Sequence, residues 1–394
     1  MLSKRNLERN KVATSAINFI DLKEQQKIIL PQIEAAIKKV IDHGIYINGP
    51  EVAEFEKNLS SFCGAKHAIS CSDGTDALSL GLMAMRVGPG DAVFVPSFTF
   101  ASSGEVVALA GATPIFIDAH PESYNISVAR LEQGIQLAKT LGLKPVCIIA
   151  VDLFGQPADY TNITNIAKEH DLQIMSDGAQ SFGAYYNNRR VGEIGDITTT
   201  SFFPAKPLGC YGDGGAVFTN NDEIAAKLRS LKIHGKGSDK YDNVMIGINS
   251  RLDTIQAAIL IEKLKIFDNE IAARQKVAQY YNDNITDIVK KPTVINGATS
   301  VWAQYTMVLP ENINRSEVIS KCKEVGIPTC VYYIKPLHLQ KAYNHYPIED
   351  KNGLKISEHL ANNVLSLPMH PYLSESQQEY IVDQLNKIVL TLSK

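Results

Sequence analysis

The feature that most constrains the fold is an alternation of short apolar runs with helical segments between residues 68 and 218. Most of the runs are continuously apolar, which is typical of parallel strands covered on both faces. Segments with helical periodicity separate most of them. The runs are 68–71, 92–95, 114–117, 146–151, 172–175, 197–202 and 215–218. This alternation predicts an α/β layered fold with right-handed crossovers.

The pattern changes after residue 220. Helical periodicity covers 222–231 and 254–267 and continues through 270–281, which predicts a long helix leading into a second domain. Beyond it we predict a strand at 301–308, a helix at 315–325, a strand at 329–333 and a closing helix at 375–392. We therefore predict three parts: a leader at 1–18, a large domain at 19–265 and a smaller α+β domain at 266–394.

Composition excludes several classes of protein. The 394 residues carry a formal net charge of -3 and no basic block, so nothing indicates a nucleic-acid partner. The six cysteines form no C-x-x-C pair, which favours reduced core thiols over a metal site or disulfides. The charged first residues do not resemble a secretory signal, and the longest apolar stretch, 106–117, is too short to span a bilayer. We expect a soluble cytoplasmic protein with no membrane partner.

The stretch S-F-F-P-A-K-P-L-G-C-Y-G-D-G-G at 201–215 holds one lysine, Lys206, between Pro204 and Pro207. It follows a Thr-rich predicted strand, so Lys206 lies in a loop at a strand end. An amine held in a pocket that disfavours its charge can attack a carbonyl. The alternative is an ordinary surface lysine in a turn.

Two other predicted strand ends carry candidate ligand-binding groups. Gly74 and Thr75 follow the strand at 68–71 and begin a helix, whose N-terminus suits a phosphate. The alternative is an ordinary helix cap formed by Ser72 or Asp73. After the strand at 92–95 comes F-T-F, in which Phe100 is a candidate to stack on a flat ring; the alternative is a core phenylalanine.

Asp177 follows the strand at 172–175, where a buried carboxylate is costly unless it is paired. A protonated pyridine nitrogen is one suitable partner, and Gln180 could donate to a ring hydroxyl. The alternative for Asp177 is a helix cap. An aspartate for a pyridinium, a lysine for an imine, an aromatic ring and a helix N-terminus at one sheet edge together indicate a pyridoxal 5'-phosphate (PLP) site.

Six long motifs carry a resemblance to a known family. They are G-P-E-V from residue 49, S-D-G-T-D-A-L from 72, D-G-A-Q-S-F-G-A from 177, S-F-F-P-A-K-P-L-G-C-Y-G-D-G-G-A from 201, N-S-R-L-D-T-I-Q-A-A-I-L from 249 and S-V-W-A-Q-Y-T from 300. Residues 19–371 resemble the DegT/DnrJ/EryC1/StrS family of PLP-dependent sugar aminotransferases. Within it they are most similar to enzymes that aminate UDP-2-acetamido-2-deoxy-3-oxo-glucuronate.

The resemblance implies fold type I, as in aspartate aminotransferase, with a mostly parallel seven-stranded sheet and a homodimer that shares its active sites. It also implies transfer of an amino group from glutamate to a nucleotide-linked keto-sugar, for surface polysaccharide such as lipopolysaccharide. Some relatives are sugar dehydratases with a histidine at the lysine position, so Lys206 favours transamination. A non-catalytic regulatory relative is a further alternative.

The family's site residues map onto this sequence one by one. Lys206 matches the Schiff-base lysine and Asp177 the partner of the pyridinium nitrogen. The other matches are Gln180 near the ring's 3-hydroxyl, Phe100 over the ring, Gly74, Thr75 and Ser201 at the phosphate, and Asn249 at the phosphate of the other subunit's cofactor.

Candidate substrate contacts are Arg251, Tyr333 and His338. A guanidinium suits a sugar acid or a diphosphate, although Arg251 is equally suited to a salt bridge at a helix start. Tyr333 and His338 lie in a stretch that faces the sugar pocket in relatives, and core packing is their alternative. The segment 135–145 is longer than in the glucuronate enzymes, which leaves the identity of the sugar open.

Overall fold

Eleven strands and eleven α-helices are present in the computed structural model, which describes residues 16–239 and 241–394. The strands are β1 (His67–Cys71), β2 (Asp91–Pro96), β3 (Thr113–Ile117), β4 (Lys144–Val151), β5 (Gln173–Asp177), β6 (Tyr185–Tyr186), β7 (Arg189–Arg190), β8 (Ile197–Ser201), β9 (Gly215–Thr219), β10 (Tyr305–Val308) and β11 (Val364–Leu367). The helices are α1 (Leu22–His43), α2 (Pro50–Cys63), α3 (Gly74–Ala84), α4 (Ser102–Leu109), α5 (Val128–Thr140), α6 (Tyr160–Glu169), α7 (Asp222–Leu231), α8 (Thr254–Asn284), α9 (Arg315–Glu324), α10 (Lys355–Asn363) and α11 (Glu375–Leu392).

Seven of the strands form the central sheet, in the order β1–β9–β8–β5–β4–β2–β3. Only β9 runs antiparallel to its neighbours in this sheet, so the prediction of a mostly parallel seven-stranded sheet is confirmed. Alternate strand residues enter two different hydrophobic clusters: Val93 and Val95 lie in one, Ala92 and Phe94 in the other. Both faces of the sheet are therefore buried, which explains the continuously apolar runs.

The register of the sheet brings four strand ends together. Gly215, at the start of β9, is paired with Cys71 on one side and Ser201 on the other. Two strands along, the last residue of β5, Asp177, is paired with Val151 of β4. The segments that follow β1, β4, β5 and β8 therefore leave the sheet at the same edge, where open α/β sheets bind their ligands.

A second unit is built around the C-terminal part of α8. Its hydrophobic cluster joins Tyr281, Tyr305, Leu365 and Ile381, and β10 pairs antiparallel with β11. The helices predicted at 222–231 and 375–392 have those bounds. The 31-residue helix α8 continues through the predicted boundary between residues 265 and 266, so the division into two domains there remains a prediction.

Three predictions for this second unit were inaccurate. The strand predicted at 301–308 begins at Tyr305, because Val301 instead donates its N–H to Gly155 O at 2.9 Å. The strand predicted at 329–333 is reduced to an isolated bridge between Cys330 and Ser366. Helix α10 and strand β11 were not predicted; both are short, with 9 and 4 residues.

The predicted leader at 1–18 lies mostly outside the described residues. Of its described part, Ile17 is buried in the hydrophobic cluster of the second unit. Among the helices of the described ranges, none has both the length and the hydropathy needed to cross a lipid bilayer.

Candidate active site

A cavity of about 680 Å³ opens at the sheet edge where β1, β4, β5 and β8 end. Eight of the predicted site residues line it: Gly74, Thr75, Phe100, Asp177, Gln180, Ser201, Lys206 and Tyr333. These residues come from segments between residues 74 and 333, so the fold itself brings them together.

Asp177 lies at the floor of this cavity and is only 6% exposed. Its Oδ1 accepts the N–H of Ala179 at 3.1 Å, and its Oδ2 accepts the hydroxyl of Ser103 at 3.4 Å. Burial raises the pKa of this carboxyl, while Ala179, the charge of Lys206 and Ser103 oppose the shift. No helix begins after β5, so the helix-cap alternative is excluded. A buried carboxylate with so few partners is suited to a cationic ring nitrogen.

Lys206 is half-buried and lines the same cavity. Its backbone N–H donates to Phe203 O at 2.8 Å, which closes the turn that carries it. Burial lowers the pKa of its amine, and the negative charge of Asp177 raises it. Because the lowering is the larger effect, the site increases the share of neutral amine, which is the form that attacks a carbonyl.

The N-terminus of α3 forms another wall. Asp73 caps the helix by accepting the N–H of Asp76 at 2.9 Å, so the predicted cap and the predicted ligand site coexist here. A Cβ added to Gly74 would lie 2.7 Å from Ser201 Cβ, and one added to Gly215 would lie 2.3 Å from Asp73 O. Glycine at both positions therefore lets the start of α3 approach the end of β8 and the start of β9. A phosphate is suited to the space between the first turn of α3 and Ser201.

The remaining predicted residues form a polar and aromatic rim. Gln180 accepts the N–H of Phe154 at 2.6 Å and donates to the Tyr333 hydroxyl at 3.2 Å. Phe100 is 57% exposed and lines the cavity, with its ring 6.3 Å from that of Tyr333, whereas Phe98 is buried in the core. The core alternative therefore holds for Phe98, and Phe100 is free to cover a flat ring.

Three predicted residues lie outside this cavity. His338 is buried: its Nδ1 lies 2.7 Å from Ser97 Oγ and its Nε2 lies 3.4 Å from Glu358. Both ring nitrogens are therefore engaged within the protein, and we do not include His338 in the proposed substrate site. Asn249 and Arg251 line a separate cavity of about 410 Å³, and Asp213 lines both cavities.

Two further residues at the site were not predicted. Asp152 is fully buried and accepts hydrogen bonds from Tyr160, Ser181 and Ala158 at 2.6, 2.7 and 2.9 Å. Its N–H donates to Asp177 O at 3.0 Å, and burial raises its pKa to about 7. It directly follows β4, as a carboxylate at a strand end, and this signal could have identified it.

Gln304 is the second of these residues. It lines the cavity, and its buried Oε1 has no hydrogen-bond partner in the part of the chain that the structure describes. It lies in the motif S-V-W-A-Q-Y-T from residue 300, which was recognised only as part of the family resemblance. A spare acceptor at this position is suited to a hydroxyl or amine donor on a ligand.

Comparison with known proteins gives concordant results. The model of the DegT/DnrJ/EryC1/StrS aminotransferase family matches residues 27–386. The UDP-2-acetamido-2-deoxy-3-oxo-D-glucuronate aminotransferase of Pseudomonas aeruginosa is 45% identical over 366 residues, which cover 93% of this chain and 98% of that protein. A protein of Geobacillus stearothermophilus named pleiotropic regulatory protein is 40% identical, and the matched residues cover 94% of this chain and 97% of that protein.

Solved structures agree on the fold. A DegT/DnrJ/EryC1/StrS aminotransferase from Brucella abortus superimposes with a TM-score of 0.92 at 52% identity, covering 94% of this chain and 99% of that one. NtdA from Bacillus subtilis, with bound cofactor PMP (pyridoxamine phosphate), superimposes with a TM-score of 0.84 at 27% identity, covering 94% of this chain and 83% of that one. The predicted fold type I is confirmed.

Proposed function

The chain belongs to the DegT/DnrJ/EryC1/StrS aminotransferase family, and on that premise we propose that it transfers an amino group from glutamate to a nucleotide-linked keto-sugar. It is a PLP-dependent nucleotide-sugar aminotransferase, and amino sugars are the products of such enzymes. The observation that carries the proposal is the position of Asp177 and Lys206, which line one cavity at adjacent strand ends. We further propose that the product enters surface polysaccharide.

The residues of the cavity fit PLP along its length. We assign Asp177 to the pyridine nitrogen, because a buried carboxylate whose pKa is raised by burial is stabilised as an anion by a protonated ring nitrogen. Gly74, Thr75 and Ser201 would hold the phosphate at the start of α3. Gln180 would donate to the ring hydroxyl, and Phe100 would cover one ring face. When bound, the cofactor supplies a conjugated ring that accepts the electrons of the reacting bond.

Lys206 has two roles in this proposal. Its amine would hold the cofactor covalently between turnovers, because burial lowers its pKa and so raises the share of neutral amine. With an amino donor bound, the same amine would remove the proton from the donor's α-carbon and later return a proton to the sugar carbon that is aminated. The negative charge of Asp177 stabilises the protonated ring throughout.

The sugar nucleotide would extend from this cavity. Gln304 and Tyr333 are suited to sugar hydroxyls, and Arg251 to a carboxylate or diphosphate. We propose a homodimer in which Asn249 and Arg251 of one subunit complete the site of the other. Support comes from their position, because both line a separate cavity and not the one that holds Asp177 and Lys206 of the same chain.

The direct test is conversion of the pyridoxamine form of the purified protein by a panel of UDP- and dTDP-linked keto-sugars. We expect one keto-sugar to restore the visible absorbance of the PLP form, and glutamate to reverse that change. A protein whose spectrum responds to neither the keto-sugars nor the amino donors would not be an aminotransferase.

A regulatory role is the second candidate, because a relative that is 40% identical is named a pleiotropic regulatory protein. The two candidates differ in catalytic activity. A non-catalytic protein would not catalyse amino transfer to any keto-sugar, whether or not it bound PLP. The sugar dehydratase alternative requires no amino donor, so dependence on glutamate separates it from our proposal.

A further inference from the structure

A second, much smaller cavity lies behind the loop that carries Lys206. Its volume is about 20 Å³, and Pro204, Lys206 and Gly209 form part of its wall. The remaining wall comes from residues 20–25, from helix α8 and from residues 369–372. A cavity needs roughly 10–15 Å³ to hold one water molecule, so this space accommodates one.

Three buried side chains that line this cavity carry unsatisfied polar atoms. Within residues 16–239 and 241–394, Arg274 Nη1, both ring nitrogens of His370 and Gln25 Oε1 have no hydrogen-bond partner. The three residues are 8%, 3% and 7% exposed, and all of them line the cavity. A buried polar atom without a partner destabilises the folded protein. Their convergence on one space therefore points to one shared partner.

The balance of donors and acceptors indicates the chemistry of that partner. Arg274 can only donate, whereas Gln25 Oε1 can only accept. The orientation of the Gln25 amide is fixed, because its Nε2 donates to Glu270 Oε1 at 2.7 Å. Water satisfies both kinds of group. An anion would be repelled by the Gln25 oxygen, and a cation would be repelled by the Arg274 guanidinium.

His370 fits the same partner. Burial lowers its pKa to about 4; Asp21, the backbone of Asn18 and Glu24 oppose the shift, and the charge of Arg274 adds to it. The ring is therefore neutral near pH 7 and offers one donor and one acceptor. A water molecule here has three protein partners, which is typical of buried waters.

We propose that a single water molecule is bound by Arg274, His370 and Gln25 behind the Lys206 loop, and that this cluster positions the loop. The proposal rests on the proposed role of Lys206. The cluster joins three segments that are distant in the sequence, and Glu270 extends it by accepting hydrogen bonds from Gln25 and from the Tyr372 hydroxyl. Arg274, His370 and Gln25 share the wall of this cavity with Pro204, Lys206 and Gly209, so we assign them as positioning residues, which act on the reaction through the loop.

A crystal structure of the PLP-loaded protein, with crystals also soaked in bromide, tests the identity of the ligand. We expect density for one water within hydrogen-bonding distance of Arg274 Nη1, Gln25 Oε1 and His370, without an anomalous signal. A bromide signal at this position would overturn the proposal in favour of an anion. A cavity without density would overturn it too. Neither result depends on amino transfer, so failure of the proposed function is distinguishable.

Two variants test the positioning role. Arg274→Met and Gln25→Leu each remove one polar partner, and Gln378→Leu is the matched control. Gln378 is also 7% exposed and donates to Leu373 O at 2.7 Å, but it does not line this cavity. We expect amide hydrogen exchange over residues 202–210 to become about tenfold faster in both variants but not in the control.

Steady-state kinetics provide the second readout. Misplacement of the Lys206 amine should lower kcat about tenfold and leave the KM for the amino donor within about twofold. Unchanged loop exchange and unchanged kcat in both variants would overturn the positioning role, even if the water were present. Wild-type protein without amino transfer to any keto-sugar would instead contradict the proposed function.

Discussion

The two walls of the large cavity are built in different ways. The sheet wall, with Asp177, Ser201 and Lys206, consists of strand ends and the short loops that follow them. The opposite wall, with Ile20, Gln304 and Tyr333, is supplied by the N-terminal segment and the second unit. The first wall holds the groups that chemistry on PLP requires, and the second holds groups suited to a substrate. Changes to the sheet wall should therefore affect kcat most, and changes to the opposite wall should have smaller effects.

The largest effect is expected for Lys206→Ala. Without the amine, covalent attachment of the cofactor and proton transfer are both lost, so turnover should fall by about four orders of magnitude or more. The visible absorbance of the lysine-bound cofactor should disappear as well. Lys232→Ala is the control, because Lys232 is a lysine that does not line this cavity and instead donates to Ser70 O at 2.6 Å. Full activity in the Lys206 variant would remove the basis of the sheet-wall assignment.

Asp177→Asn should have the next largest effect. An amide cannot keep the ring nitrogen protonated, so kcat should fall about 10²- to 10³-fold, while the phosphate contacts keep PLP bound. Equilibrium dialysis measures cofactor binding and steady-state kinetics measure kcat. Wild-type kinetics in this variant would show that the carboxylate has no role in the reaction.

Asp152 tests the layer beneath the sheet wall. Its pKa is raised to about 7 in the folded protein and is close to 4 in an unfolded chain. The stabilisation that this group provides is therefore present below pH 4 and is lost as the pH rises through about 7. Asp152→Asn removes this pH-dependent loss of stability. The free energy of unfolding of the variant, relative to that of the wild type, should therefore increase by on the order of 2 kcal/mol between pH 5 and pH 8.

Urea denaturation of the cofactor-free proteins at the two pH values measures this difference. Ser366→Ala is a suitable control, because Ser366 is buried and its hydroxyl contacts Thr306 Oγ1 at 2.8 Å, a group that does not titrate. A stability difference that does not change with pH would mean that the Asp152 carboxyl titrates alike in the folded and unfolded protein.

Tyr333→Phe should have the smallest effect, because it changes the opposite wall. The substitution leaves Gln180 Nε2 without the acceptor that it has at 3.2 Å, a loss of about 1 kcal/mol or roughly fivefold in kcat/KM. The change should appear mainly in KM for the sugar nucleotide. Tyr332 lines the same cavity, and Tyr332→Phe should have a smaller effect than Tyr333→Phe. A loss as large as that of Asp177→Asn would remove the distinction between the two walls.

The same contrast explains which parts could be predicted from the sequence. Each sheet strand is short, apolar and bounded by turns, so the edge where Asp177 and Lys206 lie follows from local signals. Gln304 is placed by contacts with Phe154 and by its position before β10, which no local pattern reveals. His338 looked like a site residue by sequence position, but Ser97 and Glu358 engage both of its ring nitrogens.

Strand predictions failed where tertiary contacts override the local pattern. The apolar stretch at 329–333 satisfies the strand pattern, but only Cys330 pairs with a neighbour, Ser366, and the two tyrosines that follow line the cavity instead. Helix α10 and β11 follow the irregular stretch 340–354, whose backbone makes turns with no period to detect. Prediction from the sequence is therefore least accurate for the wall that depends on long-range contacts.

The account depends most on Lys206 being the residue that carries the cofactor opposite Asp177. Borohydride reduction of the PLP-loaded protein, followed by proteolysis and mass spectrometry, fixes the cofactor on its lysine. We expect the pyridoxyl group on Lys206 and on no other lysine. A modification on Lys232 or Lys263, or a protein that takes up no label at all, would contradict the account.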